Sequence, residues 1–129
     1  MNDDELVERA AMVRAEAYCP YSHFSVGAAL LAQDGRVFVG CNVENISFGL
    51  TICAERNAIA AAVAGGAIGL KAIAIVSDST EPVTPCGACR QVLAEFNADL
   101  RIISETTSKA RAIFALGSLL PLSRQGILS

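Results

Sequence analysis

Two short cysteine-bearing segments limit how this chain can fold. The first reads Cys-Ala-Glu at residues 53–55, and the second reads Pro-Cys-Gly-Ala-Cys at residues 85–89. Each lies at the start of a predicted helix and follows a loop that leaves a predicted strand. The two sulfurs of the second segment are three positions apart on a helix, so they share one face. A fold that brings these two helix starts together gathers three sulfurs at one place.

The other elements follow from hydrophobic periodicity. Asp3 or Asp4 can cap a first helix, whose apolar positions recur every three or four residues until Cys19-Pro20 ends it. Further predicted elements are an antiparallel hairpin over 24–32 and 37–41 with an Asp-Gly turn, a helix over 53–64, a strand over 71–77, a helix over 86–96, strands over 101–104 and 111–116, and a short turn over 118–121. Strands that alternate with helices of this length predict right-handed crossovers in one sheet with helices on its faces.

The composition excludes several classes of function. A chain of 129 residues, 53% hydrophobic and 18% charged, is expected to fold as one domain spanning residues 1–129. Its 10 Lys and Arg residues face 13 Asp and Glu residues without a basic run, which disfavours binding along a nucleic-acid polymer. The longest uncharged apolar run, 57–70, is too short to span a bilayer, and the acidic start differs from a signal peptide. We therefore expect no membrane partner and a cytoplasmic location.

The cysteine count points to metal binding or catalysis. Five cysteines, an odd number, fit a disulfide framework poorly in a chain without a predicted export signal. Helix N-termini favour thiolates, so three sulfurs at two such ends could surround one cation. Three protein ligands leave a tetrahedral zinc ion with an open position for water, from which Glu55 could take a proton for a substrate atom. Since Cys53 and Glu55 would point to nearly opposite sides in mid-helix, Cys53 is predicted at or just before the helix start.

These features also have simpler interpretations. A Cys-x-x-Cys pair alone is compatible with a redox role or with core packing, and only its combination with Cys-x-Glu one βα unit earlier favours a metal. Cys19 and Cys41 have no partner spacing and are expected to be buried or strand-end thiols. His23, the single histidine, is expected in a loop.

Six motifs follow one another along the chain. They are Tyr-Cys-Pro-Tyr-Ser at 18–22, Phe-Ser-Val-Gly-Ala-Ala at 24–29, Gly-Cys-Asn-Val-Glu-Asn at 40–45, Cys-Ala-Glu-Arg at 53–56, Pro-Cys-Gly-Ala-Cys-Arg-Gln at 85–91 and Leu-Leu-Pro at 119–121. In order and spacing they resemble the small zinc-dependent cytidine deaminases over nearly the whole chain. The resemblance implies a three-layer α/β/α fold with a five-stranded mixed sheet, one zinc ion per subunit, and a homotetramer in which neighbouring subunits complete the active sites. It also implies a hydrolase of pyrimidine salvage that converts cytidine and 2′-deoxycytidine to the uridines and ammonia.

The resemblance further implies roles for single residues. The zinc ligands would be Cys53, Cys86 and Cys89. Glu55 would move protons between the water, N3 and the departing N4 amine, which one carboxylate above the ring edge can do. Arg56 would donate to the ligand sulfurs and reduce the negative charge of the centre. For Arg90, a similar contact and an exposed helix position are both open.

Substrate contacts are implied in the same way. Asn42 and Glu44 would bind the ribose, chiefly its 3′-OH, and Phe24 would pack against the pyrimidine. Backbone groups of Ala54 and Thr84 would meet the base edge. Outside their motifs, Phe24 also fits an ordinary strand position, and Asn42 and Glu44 fit a strand end.

Three positions depart from the family pattern. Where the family has a phenylalanine after the Leu-Leu-Pro motif, which reaches a neighbouring subunit's base pocket, this chain has Arg124. Ile46 and Phe48 replace a small residue and a tyrosine before the first ligand. The sequence leaves open whether these three side chains contact substrate. The missing aromatic motivates the hypothesis that the pocket is open near the N4 amine and tolerates N4-substituted cytidines.

Two other functions are compatible with the same residues. One is a deaminase that acts on a cytosine-containing antibiotic or a modified nucleoside. The other is a non-catalytic zinc-stapled binding module. That module would need a fourth protein ligand, which neither Cys19, Cys41 nor His23 is spaced to supply.

Overall fold

A five-stranded mixed sheet forms the centre of the computed structural model, which describes residues 1–126. The strands are β1 (Val26–Ala32), β2 (Val37–Cys41), β3 (Leu70–Ser77), β4 (Arg101–Thr106) and β5 (Arg111–Ala115). Their order in the sheet is β2-β1-β3-β4-β5. β3 and β4 are parallel, and the other neighbouring pairs are antiparallel. The predicted hairpin is present, with Gly35 in its turn at a φ of 91°.

Helices cover both faces of this sheet. They are α1 (Asp3–Arg14), α2 (Ala54–Ala64), α3 (Gly87–Phe96) and the one-turn α4 (Leu116–Leu119), and a 3₁₀ turn spans Phe48–Leu50. α1 packs its buried Leu6, Val7 and Ala10 on one face, against alternate strand residues such as Ala29 and Ala74. α2 and α3 pack on the opposite face. The expected three-layer α/β/α architecture is therefore confirmed.

The start of α1 differs from its prediction by one residue. Asn2 caps the helix instead of Asp3 or Asp4. The Asn2 side chain accepts a hydrogen bond from the backbone N–H of Glu5, and the Glu5 carboxylate accepts from the backbone N–H of Asn2. This reciprocal pair satisfies two backbone donors that a helix start otherwise leaves unpaired.

The end of α1 comes earlier than the hydrophobic pattern predicts. The helix ends at Arg14 and does not continue toward Cys19. After three further residues, the backbone N–H of Tyr18 donates to the carbonyl of Asn42 at 3.0 Å, and the carbonyl of Tyr18 accepts from Glu44 at 2.8 Å. Pairing with the segment after β2 therefore replaces the last predicted turn of the helix.

Three other boundaries also differ from the predicted ones. β1 begins at Val26 and not at Phe24, because the side chain of Asn42 takes the hydrogen bonds of this stretch. β4 continues through Thr106, which pairs with the last residue of β3. Leu116, predicted as a strand end, is fully buried and begins α4.

α2 approaches β2 closely at Gly40. A Cβ atom there would lie 2.4 Å from the backbone nitrogen of Ala58 and 2.5 Å from the backbone oxygen of Ala54, so only glycine fits. The side-chain amide of Asn57 donates to the carbonyl of Cys41 at 2.8 Å. These contacts set where the N-terminus of α2 lies relative to the end of β2.

The helices in the described part of the chain are short. The longest, α1, has 12 residues, and no helix within residues 1–126 has the length and apolar character needed to cross a membrane. The single domain predicted over residues 1–129 includes residues 127–129, which lie outside the described residues.

Candidate metal centre and active site

Three cysteines meet where α2 and α3 begin. Cys53 is the N-cap of α2, Cys86 is the N-cap of α3, and Cys89 lies in the first turn of α3. Their sulfur atoms lie within 4.8 Å of one another, with 3.8 Å between those of Cys53 and Cys86. The prediction that Cys53 lies at the helix start is confirmed. Within residues 1–126, these three cysteines form the group that could hold a metal ion.

The chemistry of this group fits zinc. Thiolates are preferred zinc ligands, and three of them leave one tetrahedral position open. Neither Cys53 nor Cys86 makes a side-chain cap hydrogen bond to its own helix, so both sulfurs are available as ligands. The peptide dipoles of two helix N-termini also favour negative charge at this place.

The cysteine thiols and Arg56 shift one another's pKa values. A hydrogen bond from Cys89 is the main cause that lowers the pKa of Cys53 to about 5, and Arg56 lowers it further. The same hydrogen bond, together with burial, raises the pKa of Cys89. Nη2 of Arg56 lies 3.7 Å from the Cys53 sulfur and 3.3 Å from the carbonyl oxygen of Thr51. The structure thus places a guanidinium group against a ligand sulfur, where it offsets negative charge.

A pocket of about 300 Å³ opens beside the sulfurs. It brings together seven residues singled out from the sequence, namely Phe24, Asn42, Cys53, Ala54, Glu55, Thr84 and Cys86. The wall is completed by Val26, Thr51, Ile75 and Val83. An apolar wall with a few convergent polar groups is typical of small-molecule sites.

Glu55 is a buried carboxyl group on this wall. Only 6% of the residue is exposed. Burial is the main cause that raises its pKa to about 7, and the negative charge at Cys53 adds to this effect. A divalent cation bound among the sulfurs would lower the pKa of Glu55, because it favours the ionised carboxylate. A carboxyl group with a pKa near neutrality can both accept and donate a proton at working pH.

Asn42 holds the backbone at the mouth of the pocket. Its side-chain oxygen accepts from the backbone N–H of Val26 at 2.9 Å, and its side-chain amide donates to the carbonyl of Phe24 at 2.8 Å. The ring of Phe24 lines the pocket beside it. Asn42 therefore fixes the residue that is expected to pack on the base.

Glu44 lies outside the residues that line the pocket. Its carboxylate accepts from the backbone N–H of Tyr21 at 3.1 Å and from the backbone N–H of Ser22 at 3.2 Å, and the hydroxyl of Ser22 donates to it as well. The Ser22 hydroxyl bond is the main cause that lowers the pKa of Glu44. The structure thus gives Glu44 the task of holding the turn that precedes Phe24, which the sequence had not suggested.

The three departures from the family pattern lie away from the pocket wall. Ile46 and Phe48 are 79% and 68% exposed, and the ring of Phe48 meets the ring of Tyr21 edge-on with 6.0 Å between centroids. Arg124 donates to the carbonyl of Glu95 at 3.0 Å, near the C-terminal end of α3. In this chain by itself, none of the three side chains meets the pocket.

Four pocket residues were missed in the sequence. Val26 and Ile75 lie in β1 and β3 and face the same side as the core beneath α2 and α3, so strand alternation carried a signal for them. Thr51 and Val83 lie in loops, where no periodicity exists to mark them.

The remaining cysteines lie apart from the metal group. Cys19 and Cys41 are both half-buried, and burial raises the pKa of Cys41. His23 lies in a loop with a φ of 57°. Cys41 at the end of β2 and His23 in a loop agree with their expectations, whereas Cys19 is neither fully buried nor at the end of one of the five strands.

Several known proteins are similar to this chain. The family model described as "Cytidine and deoxycytidylate deaminase zinc-binding region" matches residues 1–105. A cytidine deaminase of Sporosarcina psychrophila is 52% identical over 96 residues, which cover 74% of this chain and 71% of that protein. A probable cytidine deaminase of Dictyostelium discoideum is 44% identical over 125 residues, which cover 94% of this chain and 84% of that protein. The crystal structure of cytidine deaminase from Burkholderia pseudomallei matches with a TM-score of 0.91 at 45% identity, covering 95% of this chain and 98% of that one.

The layered fold and the three sulfurs at two helix starts define a zinc protein with an open metal position. Within that class, the chain belongs to the cytidine and deoxycytidylate deaminase family, whose zinc-binding region it matches over most of its length. Its cofactor is one zinc ion per subunit, and Cys53, Cys86 and Cys89 are positioned to hold it.

Proposed function

We propose that this chain hydrolyses cytidine to uridine and ammonia, and 2′-deoxycytidine to 2′-deoxyuridine and ammonia. One observation carries the proposal: Glu55 lines the same pocket as Cys53 and Cys86, two of the three cysteines that could hold the metal. The relatives of Sporosarcina psychrophila and Dictyostelium discoideum carry the names cytidine deaminase and probable cytidine deaminase, which supports cytidine as the substrate.

Glu55 moves the protons of the reaction. Zinc, when bound, supplies a Lewis acid that lowers the pKa of a water molecule at its open position. Glu55 takes one proton from the water that attacks C4 of the pyrimidine and delivers it to N3, so that the ring accepts an electron pair. It then carries the second proton of that water to the N4 amine. The C4–N4 bond breaks, ammonia leaves, and C4 becomes a carbonyl carbon.

The pocket wall holds the nucleoside. Phe24 packs on the base, and backbone groups of Ala54 and Thr84 meet its edge. Of the two residues that bind the ribose, chiefly its 3′-OH, Asn42 lines this pocket and Glu44 lies outside its lining residues. The amide of Asn42 uses one of its two hydrogens on the Phe24 carbonyl, which leaves the other for the sugar. The negative charge of Glu44 also repels a 3′-phosphate, which favours a free nucleoside over a nucleic-acid polymer.

The substrate range includes N4-substituted cytidines in this proposal. Arg124 stands in place of an aromatic residue and binds the Glu95 carbonyl, away from the pocket. Cytidine, N4-methylcytidine and N4-acetylcytidine offered to the purified enzyme are all expected to be converted. Turnover of cytidine without turnover of either N4-substituted nucleoside contradicts this part. Faster turnover of a cytosine-containing antibiotic than of cytidine identifies the alternative substrate class.

The proposed enzyme is a homotetramer, and residues 1–129 of each subunit act as one domain. It works in the cytoplasm, in pyrimidine salvage. Ile46, Phe48 and Leu50 are close in the chain and expose apolar side chains that a neighbouring subunit would remove from water. Three cysteine ligands that must stay reduced fit a reducing compartment. A free nucleoside as substrate fits the reuse of preformed nucleosides.

One assay tests the reaction directly. Purified protein with one zinc per subunit is expected to remove the absorbance of cytidine, and a strong chelator is expected to stop the reaction. Adding zinc back to the chelated protein is expected to restore it. A zinc-loaded, folded protein that leaves cytidine unchanged contradicts the proposed function.

A closed metal site would identify a binding module instead. X-ray absorption of the zinc-loaded protein is expected to show three sulfur ligands and one oxygen ligand. Four protein ligands would favour the zinc-stapled module over an enzyme.

A further inference from the structure

Arg90 bridges three oxygen atoms next to the pocket. It directly follows Cys89 in α3 and is partly buried. Its Nε donates to the carbonyl of Pro85 at 2.7 Å, its Nη2 to the hydroxyl of Thr84 at 2.9 Å, and its Nη1 to the carbonyl of Leu119 at 3.0 Å. These partners differ from both alternatives considered for Arg90 above, a sulfur contact and an exposed position.

The loop between β3 and α3 needs such a donor. Residues 78–86 form neither helix nor strand, so their backbone groups lack the regular partners of those elements. Pro85 is fully buried and has no N–H, and an unpaired carbonyl at this place would be unfavourable. Arg90 satisfies that carbonyl with a charged donor, which makes a stronger hydrogen bond than a neutral one.

The third contact of Arg90 reaches the C-terminal segment. Leu119 ends the one-turn helix α4. The last carbonyl groups of a helix have no backbone N–H within the helix from which to accept a hydrogen bond. Gln91, the next residue of α3, donates to the carbonyl of Ser123 at 3.2 Å in the same segment. Arg90 therefore joins the pocket loop to the C-terminal segment. Gln91 contacts only the C-terminal segment, so a Gln91 variant is a matched control.

We propose that Arg90 is a positioning residue, which clamps Thr84 of the pocket wall and the adjacent Pro85 to α3 and to the segment around Leu119. This inference rests on the proposed function, since that function places the base edge against Thr84. Arg90 does not itself line the pocket, so it acts through Thr84 and Pro85. Loss of the clamp loosens the wall that meets the base and affects substrate binding more than the proton transfers of Glu55.

Kinetics with matched variants test this role. Arg90→Gln is expected to raise KM for cytidine about tenfold, with a smaller change in kcat and with one zinc per subunit retained. Arg90→Lys, which keeps a charged donor, is expected to fall between this variant and the unmodified enzyme. Gln91→Ala is expected to stay within about twofold in both constants. An unchanged KM in folded, zinc-loaded Arg90→Gln overturns the proposal.

Hydrogen exchange tests the clamp without relying on activity. Arg90→Gln is expected to speed amide exchange in residues 78–86 and 116–121 together, whereas Gln91→Ala leaves residues 78–86 unchanged. If Arg90→Gln does not fold, Arg90→Lys is expected to show the same pattern at smaller amplitude. Unchanged exchange in residues 78–86 of a folded Arg90 variant refutes the clamp. An unmodified enzyme that is inactive on cytidine, with the expected exchange pattern in the variants, refutes the proposed function and leaves the clamp standing.

Discussion

Burial and the negative charge at Cys53 both raise the pKa of Glu55, whereas the positive charge of Arg56 lowers it. Glu55 is buried in the first turn of α2. Cys53, two residues earlier in the chain, is the N-cap of the same helix. Both effects favour the protonated form and bring the pKa to about 7. A carboxyl group with a pKa near neutrality takes up and releases a proton with little free-energy difference, and a zinc ion at the sulfurs would lower this pKa.

Glu55→Gln tests the assignment of Glu55 as the proton carrier. The amide keeps the shape of the side chain but cannot take up the water proton, so we expect kcat to fall by at least about 10³-fold with zinc still bound. Cytidine absorbance and metal content measure the two quantities. Glu95→Gln changes an exposed glutamate of α3 and is expected to remain within about twofold. Retained activity in Glu55→Gln would remove Glu55 from the mechanism.

The residues of the site differ in how well the sequence predicts them. Cys86 with Cys89, and Cys53 with Glu55, could be predicted as pairs because each spacing is local: three positions on a helix, and two positions across a helix start. Joining the two pairs depended on the family resemblance, because Cys53 and Cys86 lie 33 positions apart in the chain. The partners of Asn42, Glu44 and Arg90 could not be predicted, because their hydrogen bonds join residues 18, 22 and 29 positions apart. Such bonds depend on how loops meet, which no local pattern records.

At the level of elements, the contact between α2 and β2 decides where the active site lies. Gly40→Ala places a Cβ against the backbone of Ala54 and Ala58, and backbone atoms cannot move aside as a flexible side chain can. We expect the free energy of unfolding to fall by about 1–3 kcal/mol, and kcat to fall because Glu55 moves with α2. Urea unfolding and the cytidine assay measure both. At Gly87 a Cβ meets nothing within 4 Å, so Gly87→Ala is the control and is expected to leave stability equal or higher. A Gly40→Ala enzyme as stable as the unmodified one contradicts this packing argument.

The ion pair between α1 and β4 predicts a pH dependence of stability. Nη2 of Arg101 donates to the carboxylate of Asp3 at 2.7 Å, and this bond is the main cause that lowers the pKa of Asp3 from 3.8. A lowered pKa means that the pair contributes stability above the unfolded-state pKa and loses it as pH falls through the folded-state pKa. Both side chains are partly exposed, so the contribution is small.

We therefore expect Asp3→Asn to lower the free energy of unfolding by about 0.5 kcal/mol near pH 7, and by progressively less as the pH falls below about 4. Urea unfolding of both proteins over that range checks the trend. A double-mutant cycle with Arg101→Gln separates the pair from other effects of the asparagine. A difference between the two proteins that grows toward low pH contradicts the assignment.

Element types were more predictable than element ends. The hairpin, α2, α3 and the central strands follow from periodicity and turn residues, and all are present. α1 was predicted too long because Ala17 continues the spacing of Leu6, Ala10 and Val13. In the structure, Tyr18 pairs instead with the segment after β2. That competition is decided by tertiary contacts, which local propensity does not include.

At the level of the whole molecule, the apolar side chains of Ile46, Phe48 and Leu50 are largely exposed in a single chain. Light scattering is expected to give about four times the chain mass of 13.4 kDa for the proposed homotetramer. Phe48→Ser is expected to lower that mass, because a hydroxymethyl group replaces an apolar ring in the proposed contact between subunits. Met12→Ser changes an equally exposed apolar residue on α1 and is expected to leave the mass unchanged. A mass of one chain for the unmodified protein contradicts the proposal.

The fold class could be predicted because alternating strands and helices permit few arrangements. Assembly could be predicted only through the family resemblance, since the same apolar composition serves a core and an interface equally well.

The two N-cap cysteines make folding and metal content interdependent. Serine, threonine, aspartate or asparagine at an N-cap accepts from the first backbone N–H groups, but Cys53 and Cys86 do not. A zinc ion bound by Cys53, Cys86 and Cys89 would hold the two helix starts together in place of separate side-chain caps. Chelation is expected to lower the melting temperature and to open the first turns of α2 and α3 as one cooperative unit, visible as matched gains in amide exchange at residues 54–57 and 87–90. Independent opening of the two turns would show that each helix start is stable by itself.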